Sequence, residues 1–229
     1  NEDKVSTRKP INISPFEFES VVDIPGYKWK QTYNCQIRIA RSFLSALPVL
    51  SKIKTSSDRI GNHLYINYGA QVSSKKKGVF TKSDVVSNVF FEGAKPFVDG
   101  KYIERYLPKP EGRYLDYRQS EMYGPRAPEL FEAEKLMVCV RTGEGEKLVA
   151  ALDNQGLYCD HTVILGVPYS EIEDTDLQAD FKGYIQGKSN VSVAYISSIV
   201  NSSLMTWVFQ NEFATSALQG DYSDVWPET

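Results

Sequence analysis

Three clusters in this 229-residue chain gather side chains able to do chemistry. The first is Asp84 followed by Asp99-Gly100-Lys101. An acidic residue, a spacer and Asp-x-Lys is how Mg-dependent nucleases gather two carboxylates for the ion and a lysine to help activate water. The spacing fits only loosely. Asp99-Gly100 also lies between apolar-alternating arms, a strong hairpin signal, and a hairpin tip would project these side chains into solvent rather than onto a buried strand. We read a hairpin there. The second cluster, Cys159-Asp160-His161, offers a nucleophile, an acid and a base, but on a strand Asp160 points away from its neighbours. A triad needs convergence from separate elements, so a strand with a packed cysteine and a partly exposed histidine is the better reading. The third, Thr142-Gly143-Glu144-Gly145-Glu146-Lys147, lacks the phosphate-loop spacing, and its glutamates would repel a phosphate, so it too reads as a hairpin turn.

What remains is binding chemistry. Lys75-Lys76-Lys77 forms a lysine-rich loop able to neutralise neighbouring phosphates and release counterions. Residues 107–130 interleave Arg113, Arg118 and Arg126 with Tyr114, Tyr117 and Tyr123 and hold four of the eleven prolines. Guanidinium forks read guanine edges and aromatic rings wedge or stack. The net charge of −3 hides an asymmetry: residues 1–118 carry 20 Lys+Arg against 12 Asp+Glu, a net of +8, and the remainder carries 6 against 17, a net of −11. A basic half beside an acidic half suits one surface facing nucleic acid, and it also suits ordinary solvated surface.

The elements that must position these residues are mixed. The first twenty residues read as an irregular approach to the fold. Ile37, Ile39, Phe43, Leu44 and Leu47 predict a short helix within Asn34–Leu50, ended by Pro48. HLYINYGAQVSS alternates as strand with a bend or bulge at Gly69, LMVCVRTGEGEKLVAAL predicts a second hairpin and GLYCDHTVILGV another strand. Residues 171–183 are acidic and expected on the surface. From Val193 to Phe209 the period lengthens, and Tyr195, Ile196, Ile199, Val200, Leu204, Trp207 and Val208 share one face of a predicted amphipathic helix of about four turns. The fold class expected is α+β: a β-rich mixed sheet core with packed helices, including that C-terminal amphipathic helix. Three cysteines without a C-x-x-C pair argue against a disulfide framework and a structural zinc, and a reducing cytoplasm is the simplest home. No apolar run is long enough to span a bilayer, and the amino terminus has neither a signal-like order nor a methionine, so a piece of something larger is expected.

One series of motifs is more telling than any single residue. Gly100-Lys101-x-Ile103-x-Arg105-Tyr106 is followed by the arginine-tyrosine loop, Lys135-x-x-Val138-x-Val140-Arg141, Tyr158-x-Asp160-x-Thr162 and a helix carrying Asn201-Ser202-x-Leu204. Over about residues 60–210 this order resembles the TaqI-like C-terminal specificity domain, the target-recognition module of adenine-N6 DNA methyltransferases and of restriction enzymes that fuse cleavage, methylation and recognition.

That resemblance implies a domain that grips duplex DNA, reads the target sequence and helps present an extruded adenine. It implies that methylation, and the S-adenosylmethionine it consumes, belong to an upstream methyltransferase domain of the parent chain. This chain has no Pro-Pro pair from which to build the family's catalytic Asn-Pro-Pro-Tyr motif, so no cofactor and no catalytic residue are expected in it. Residues 1–55 are expected to be a connector or helical extension from the catalytic domain, and residues 56–229 the recognition domain. The partners are double-stranded DNA and the upstream domain, with no membrane. Lys75, Lys76 and Lys77 are expected on phosphates, and Arg113, Tyr114, Arg118 and Arg141 in a groove. Arg105 and Tyr106 either contact DNA or orient their hairpin. A protein-interaction module and, behind it, a Mg-dependent nuclease are the alternatives.

Overall fold

The alternating segment HLYINYGAQVSS forms two strands, β3 (Leu64–Tyr68) and β4 (Gln71–Ser74), with Gly69 at the bend. No side chain fits there: a Cβ on Gly69 would meet the Asp160 carbonyl oxygen at 2.3 Å. These strands belong to a computed structural model that describes residues 4–13, 16–25, 42–143, 145, 147–172, 191–213 and 225. Two compact units divide the chain, one of Asn1–Asp58 with Val208–Ala214 and one of Arg59–Trp207 with Thr215–Thr229.

The larger unit is a mixed α and β fold. One antiparallel sheet orders β12 (Ala150–Asp153), β11 (Lys135–Cys139), β14 (Val163–Pro168) and β3. A second orders β13 (Tyr158–Cys159), β6 (Lys95–Val98), β9 (Tyr114–Leu115) and β5 (Val86–Ser87), with β13 and β6 parallel and the other pairs antiparallel. Two ribbons complete the set: β4 with β10 (Met122–Gly124), and β7 (Ile103–Glu104) with β8 (Leu107–Pro108). Short helices α2 (Lys82–Val85) and α3 (Glu129–Glu132) punctuate the connections. Both sheets and the β4–β10 ribbon bury side chains in one core, among them Val72, Phe97, Leu115, Met122, Met137 and Leu165. Phe131 stacks on Tyr158 at 4.5 Å between ring centres, and Tyr117 meets both edge-on. Apolar side chains alternate on the pleat, and their removal from water drives the assembly.

The expected α+β class with a mixed sheet holds. The turn at Thr142–Lys147 joins β11 to its antiparallel neighbour β12, with Gly143 donating to the Lys147 carbonyl at 2.7 Å. The hairpin expected at Asp99-Gly100 is absent. Strand β6 pairs with β9 and β13 instead of β7, and Gly100 begins a 3-10 turn. Glycine is needed there for close approach, since a Cβ would lie 2.8 Å from the Thr162 carbonyl oxygen.

The expected single C-terminal helix is two, α4 (Val193–Val200) and α5 (Ser203–Glu212). Asn201 ends the first because its buried side chain bonds backbone elsewhere, and the Ser202 hydroxyl caps the second by accepting from Met205 N at 3.1 Å. The expected apolar face is divided as well: Ile196, Val200 and Val208 are buried, while Tyr195, Ile199 and Leu204 are exposed.

In the smaller unit, the expected irregular start is an antiparallel pair of ten-residue strands, β1 (Lys4–Ile13) and β2 (Phe16–Pro25), with register shifts either side of Pro10. Helix α1 spans Ser42–Ser56 and runs through Pro48 rather than ending there. Proline removes one backbone bond, and its ring sits on the exposed side while Ala46, Leu47 and Leu50 are buried. Residues 34–41 of the predicted helix, and residues 173–183 of the acidic segment, lie outside the described residues.

Lys135 and Asp153 face each other across β11 and β12 with no exposed surface. The ammonium also donates to the Phe131 carbonyl, and Asp153 accepts from Gln155 N and Leu157 N at 2.9 Å each. Removing one partner strands the other charge in the core. Lys135→Met is therefore expected to destabilise the domain by about 3 kcal/mol in urea unfolding. Lys95→Met, which breaks the exposed pair with Glu132, is expected to cost under about 1 kcal/mol. Equal losses would refute the distinction.

Candidate nucleic-acid interface

Lys75, Lys76 and Lys77 occupy a closed loop. Ser74 N donates to the Phe80 carbonyl at 3.2 Å across its base, Val79 N donates to the Lys76 carbonyl at 3.3 Å, and Gly78 takes the left-handed conformation at φ +83°. All three lysines are exposed, and among the described residues none has a carboxylate partner. The β4–β10 pairing places this loop beside the Arg118–Glu121 turn. Lys75 N donates to the Glu121 carbonyl at 2.8 Å and Lys75 Nζ to the Ser120 carbonyl at 2.9 Å. Arg118 is exposed, pairs with Asp116 at 2.8 Å and lies over the Phe80 ring at 5.4 Å. These four cations form one group.

Arg113 is different. Its side chain is 13 % exposed and pairs with Asp99 at 2.8 Å, with the guanidinium 5.2 Å from the Phe97 ring centre and 4.8 Å from that of Tyr102. Tyr114, next to it on β9, is half-buried with its ring edge-on to exposed Phe90 at 5.4 Å. Arg105 and Tyr106 form the two-residue turn of the β7–β8 ribbon and are both exposed. Arg141 is exposed just past β11, where Val140 N donates to the Thr162 carbonyl at 3.0 Å. Of the other tyrosine-arginine residues, Tyr117 joins the core ring cluster, and Arg126 turns inward to donate to the Tyr68 carbonyl at 2.8 Å. The sequence singles out types here, and burial sorts them.

The sorting centres on Asp99. Lys82 Nζ donates to Asp99 Oδ2 at 2.9 Å and to Asp160 Oδ2 at 2.5 Å, while Arg113 shares Asp99 Oδ2. Asp160 Oδ1 accepts from the amide and hydroxyl of Thr162, and that hydroxyl accepts from Gly100 N at 2.8 Å. Burial alone would raise the Asp99 carboxyl, but the bonds and charges of Arg113 and Lys82 outweigh it and hold its pKa below the ordinary value. Lys82 escapes sequence reasoning because its partners lie 17 and 78 residues away. Asp99, Asp160 and Thr162 carry a signal, since they fall in or beside the motif series, though as frame rather than contact.

The enzymatic readings find their residues otherwise engaged. Asp84 caps α2, accepting from Thr81 N at 2.7 Å, and Asp99 is committed to two cations. Among the described residues no three His, Cys, Asp or Glu gather as metal ligands. Cys159 is wholly buried, which pushes its thiol pKa up; Asp160 is held by Lys82; His161 is exposed. Cys139 is likewise raised by burial, to about 12. No helix of the described residues is long and apolar enough to cross a membrane.

Among the described residues, a basic loop and an arginine-bearing turn are mounted on small sheets whose inward-facing lysines and arginines are taken up by internal acceptors. Residues 95–219 match the model of the TaqI-like C-terminal specificity domain, and the chain belongs to that family. None of the curated proteins compared with the chain matches it. A specificity domain is not itself the catalytic part of its parent. The matched segment is not structurally self-contained: β3 pairs with β14, β4 with β10 and β5 with β9, so strands before residue 95 complete its sheets.

Because Asp99 is held low, its bonds stabilise the fold above the ordinary carboxylate value of 3.8 and are lost as pH falls through its lower folded value. Asp99→Asn is therefore expected to cost about 2 kcal/mol at neutral pH, a deficit that shrinks as the unaltered domain is acidified. Urea unfolding at neutral pH and near pH 3 measures it. A deficit that stays constant would contradict the assignment.

Proposed function

We propose that this chain recognises specific sequences in double-stranded DNA as the target-recognition domain of an adenine-N6 methyltransferase or a restriction-modification enzyme of the bacterial cytoplasm. An upstream methyltransferase domain of the same parent supplies S-adenosylmethionine and the chemistry. Residues 1–55 serve as its connector, and residues 56–229 form the recognition domain. Family membership supports the class, and the observation that carries the reading to residues is the lysine loop: three exposed ammoniums on a hydrogen-bonded scaffold, with no described carboxylate partner.

In this reading Lys75, Lys76 and Lys77 hold phosphates and release counterions. Arg118, beside them, extends the basic track. Arg141 and Tyr114 reach into a groove, where a guanidinium reads a guanine edge. Arg113 acts at one remove: its charge is spent on Asp99, and it orders the β9 strand from which Tyr114 projects. Docking of this domain onto another protein is a second reading, favoured by the exposed Tyr195, Ile199 and Leu204; it requires no salt-dependent affinity for duplexes.

Replacing Lys75, Lys76 and Lys77 together by alanine is expected to weaken binding to all duplexes alike. The slope of log affinity against log salt should flatten by roughly two to three units, about one for each phosphate no longer neutralised. Arg141→Ala is expected to cost about 1–3 kcal/mol and to relax preference at one base pair. Anisotropy titrations across a salt series, with duplexes of varied sequence, separate the two. A salt slope untouched by the triple substitution would end the phosphate assignment.

A further inference from the structure

Tyr106 is held in a backbone conformation that suits it poorly. Its φ is +75°, in the left-handed region where a bulky residue is an outlier. The turn is nonetheless fastened on every side. Tyr106 N donates to the Ala150 carbonyl at 2.7 Å, and Arg105 donates to the Asn201 carbonyl. The Asn201 side chain in turn brackets Ala150, accepting from its N–H at 3.0 Å and donating to its carbonyl at 2.7 Å. This clamp covers β12, the edge strand of its sheet.

The ring gains little inside the domain in exchange for that strain: it is not part of the core, and among the described residues its one aromatic contact is with the neighbouring Arg105. Tyr106 is 53 % exposed, as is Leu107 beside it. The Arg105 guanidinium lies 5.5 Å from the centre of the ring. Glycine would fit the backbone better, and nothing in the core requires an aromatic side chain here. Strain that surrounding structure over-determines, with no return in packing, marks residues kept for contact with something else. Charge tells what that is. Glu104 is neutralised by Lys109 at 2.7 Å, and among the described residues Arg105 has no carboxylate partner, so the ribbon offers an aromatic face backed by an uncompensated positive charge.

We propose that Tyr106 is a DNA-contact residue whose ring stacks or wedges against a base, with Arg105 the positioning residue that orients it through Asn201. The inference rests on the DNA-recognition reading above and adds a contact that is aromatic rather than ionic.

The test compares the full chain with Tyr106→Gly, Tyr106→Asn and Tyr106→Trp, measuring thermal unfolding and affinity for a random-sequence duplex pool across a salt series. Relief of strain should raise the melting temperature of Tyr106→Gly by a few degrees, while its affinity falls about tenfold with the salt slope unchanged, because no charge is removed. Tyr106→Asn, which tolerates positive φ without a ring, should lose affinity as Tyr106→Gly does, and Tyr106→Trp should keep it. Unchanged affinity in both ring-deleted variants, or a flattened salt slope in them, overturns the proposal. The triple lysine variant, run in parallel, locates a failure. If it loses affinity and slope while the Tyr106 variants do not, only the stacking assignment falls. If the unaltered chain shows no salt-dependent duplex binding, the DNA reading fails and this inference with it.

Discussion

Asp99 is where the larger unit is tied together. Its carboxylate takes Lys82 from the start of α2 and Arg113 from the approach to β9, and Lys82 carries the link to Asp160 between β13 and β14. Two cations and two anions balance, which is the condition for keeping four charges in and around a core without stranding one. A network of this kind adds less net stability than a well-packed apolar cluster would. What it ties is position, since moving one partner away strands a charge on the other. The segments it fastens are those next to the lysine loop, the β9 strand and Thr162, whose carbonyl accepts from Val140 N just past the end of β11, before Arg141.

A division among the basic residues follows. Lys82, Arg113, Arg126 and Lys135 are spent on internal acceptors, and they set the frame. Lys75, Lys76, Lys77 and Arg118 stand outside it. A cation already neutralised by a buried carboxylate has little left for a phosphate, which is why the proposed phosphate contacts fall in the second set. The strained Tyr106 turn belongs to the same logic, because the Asn201 clamp holds a conformation the local sequence would not choose.

Much of the β structure was legible from alternation alone, and the Thr142–Lys147 hairpin from its glycines. The Asp99-Gly100 turn was not, because a hairpin signal is local and the pairing of β6 with β9 and β13 is not. Pro48 misled for a related reason: its solvent-facing position in α1 depends on packing that spacing does not disclose. The four-turn helix from Val193 is broken at two residues: the Asn201 side chain bonds Ala150, off the helix axis, and the Ser202 hydroxyl caps the helix that follows. At the candidate site, exposure and charge made the lysine loop visible early. The commitment of Arg113 to Asp99 was invisible, since nothing in a sequence reports which carboxylate an arginine will meet.

The central claim is that the Lys82–Asp99–Asp160–Arg113 network orders the presenting segments locally. Amide hydrogen exchange in Lys82→Met against the unaltered chain tests it most directly. Protection is expected to fall at Gly100 and Thr162, whose amides bond within the network's reach, and at Phe97, which donates to the Arg113 carbonyl, while the β11–β14 pairing keeps its protection. Protection unchanged at those three amides, or lost uniformly across the domain, would contradict it.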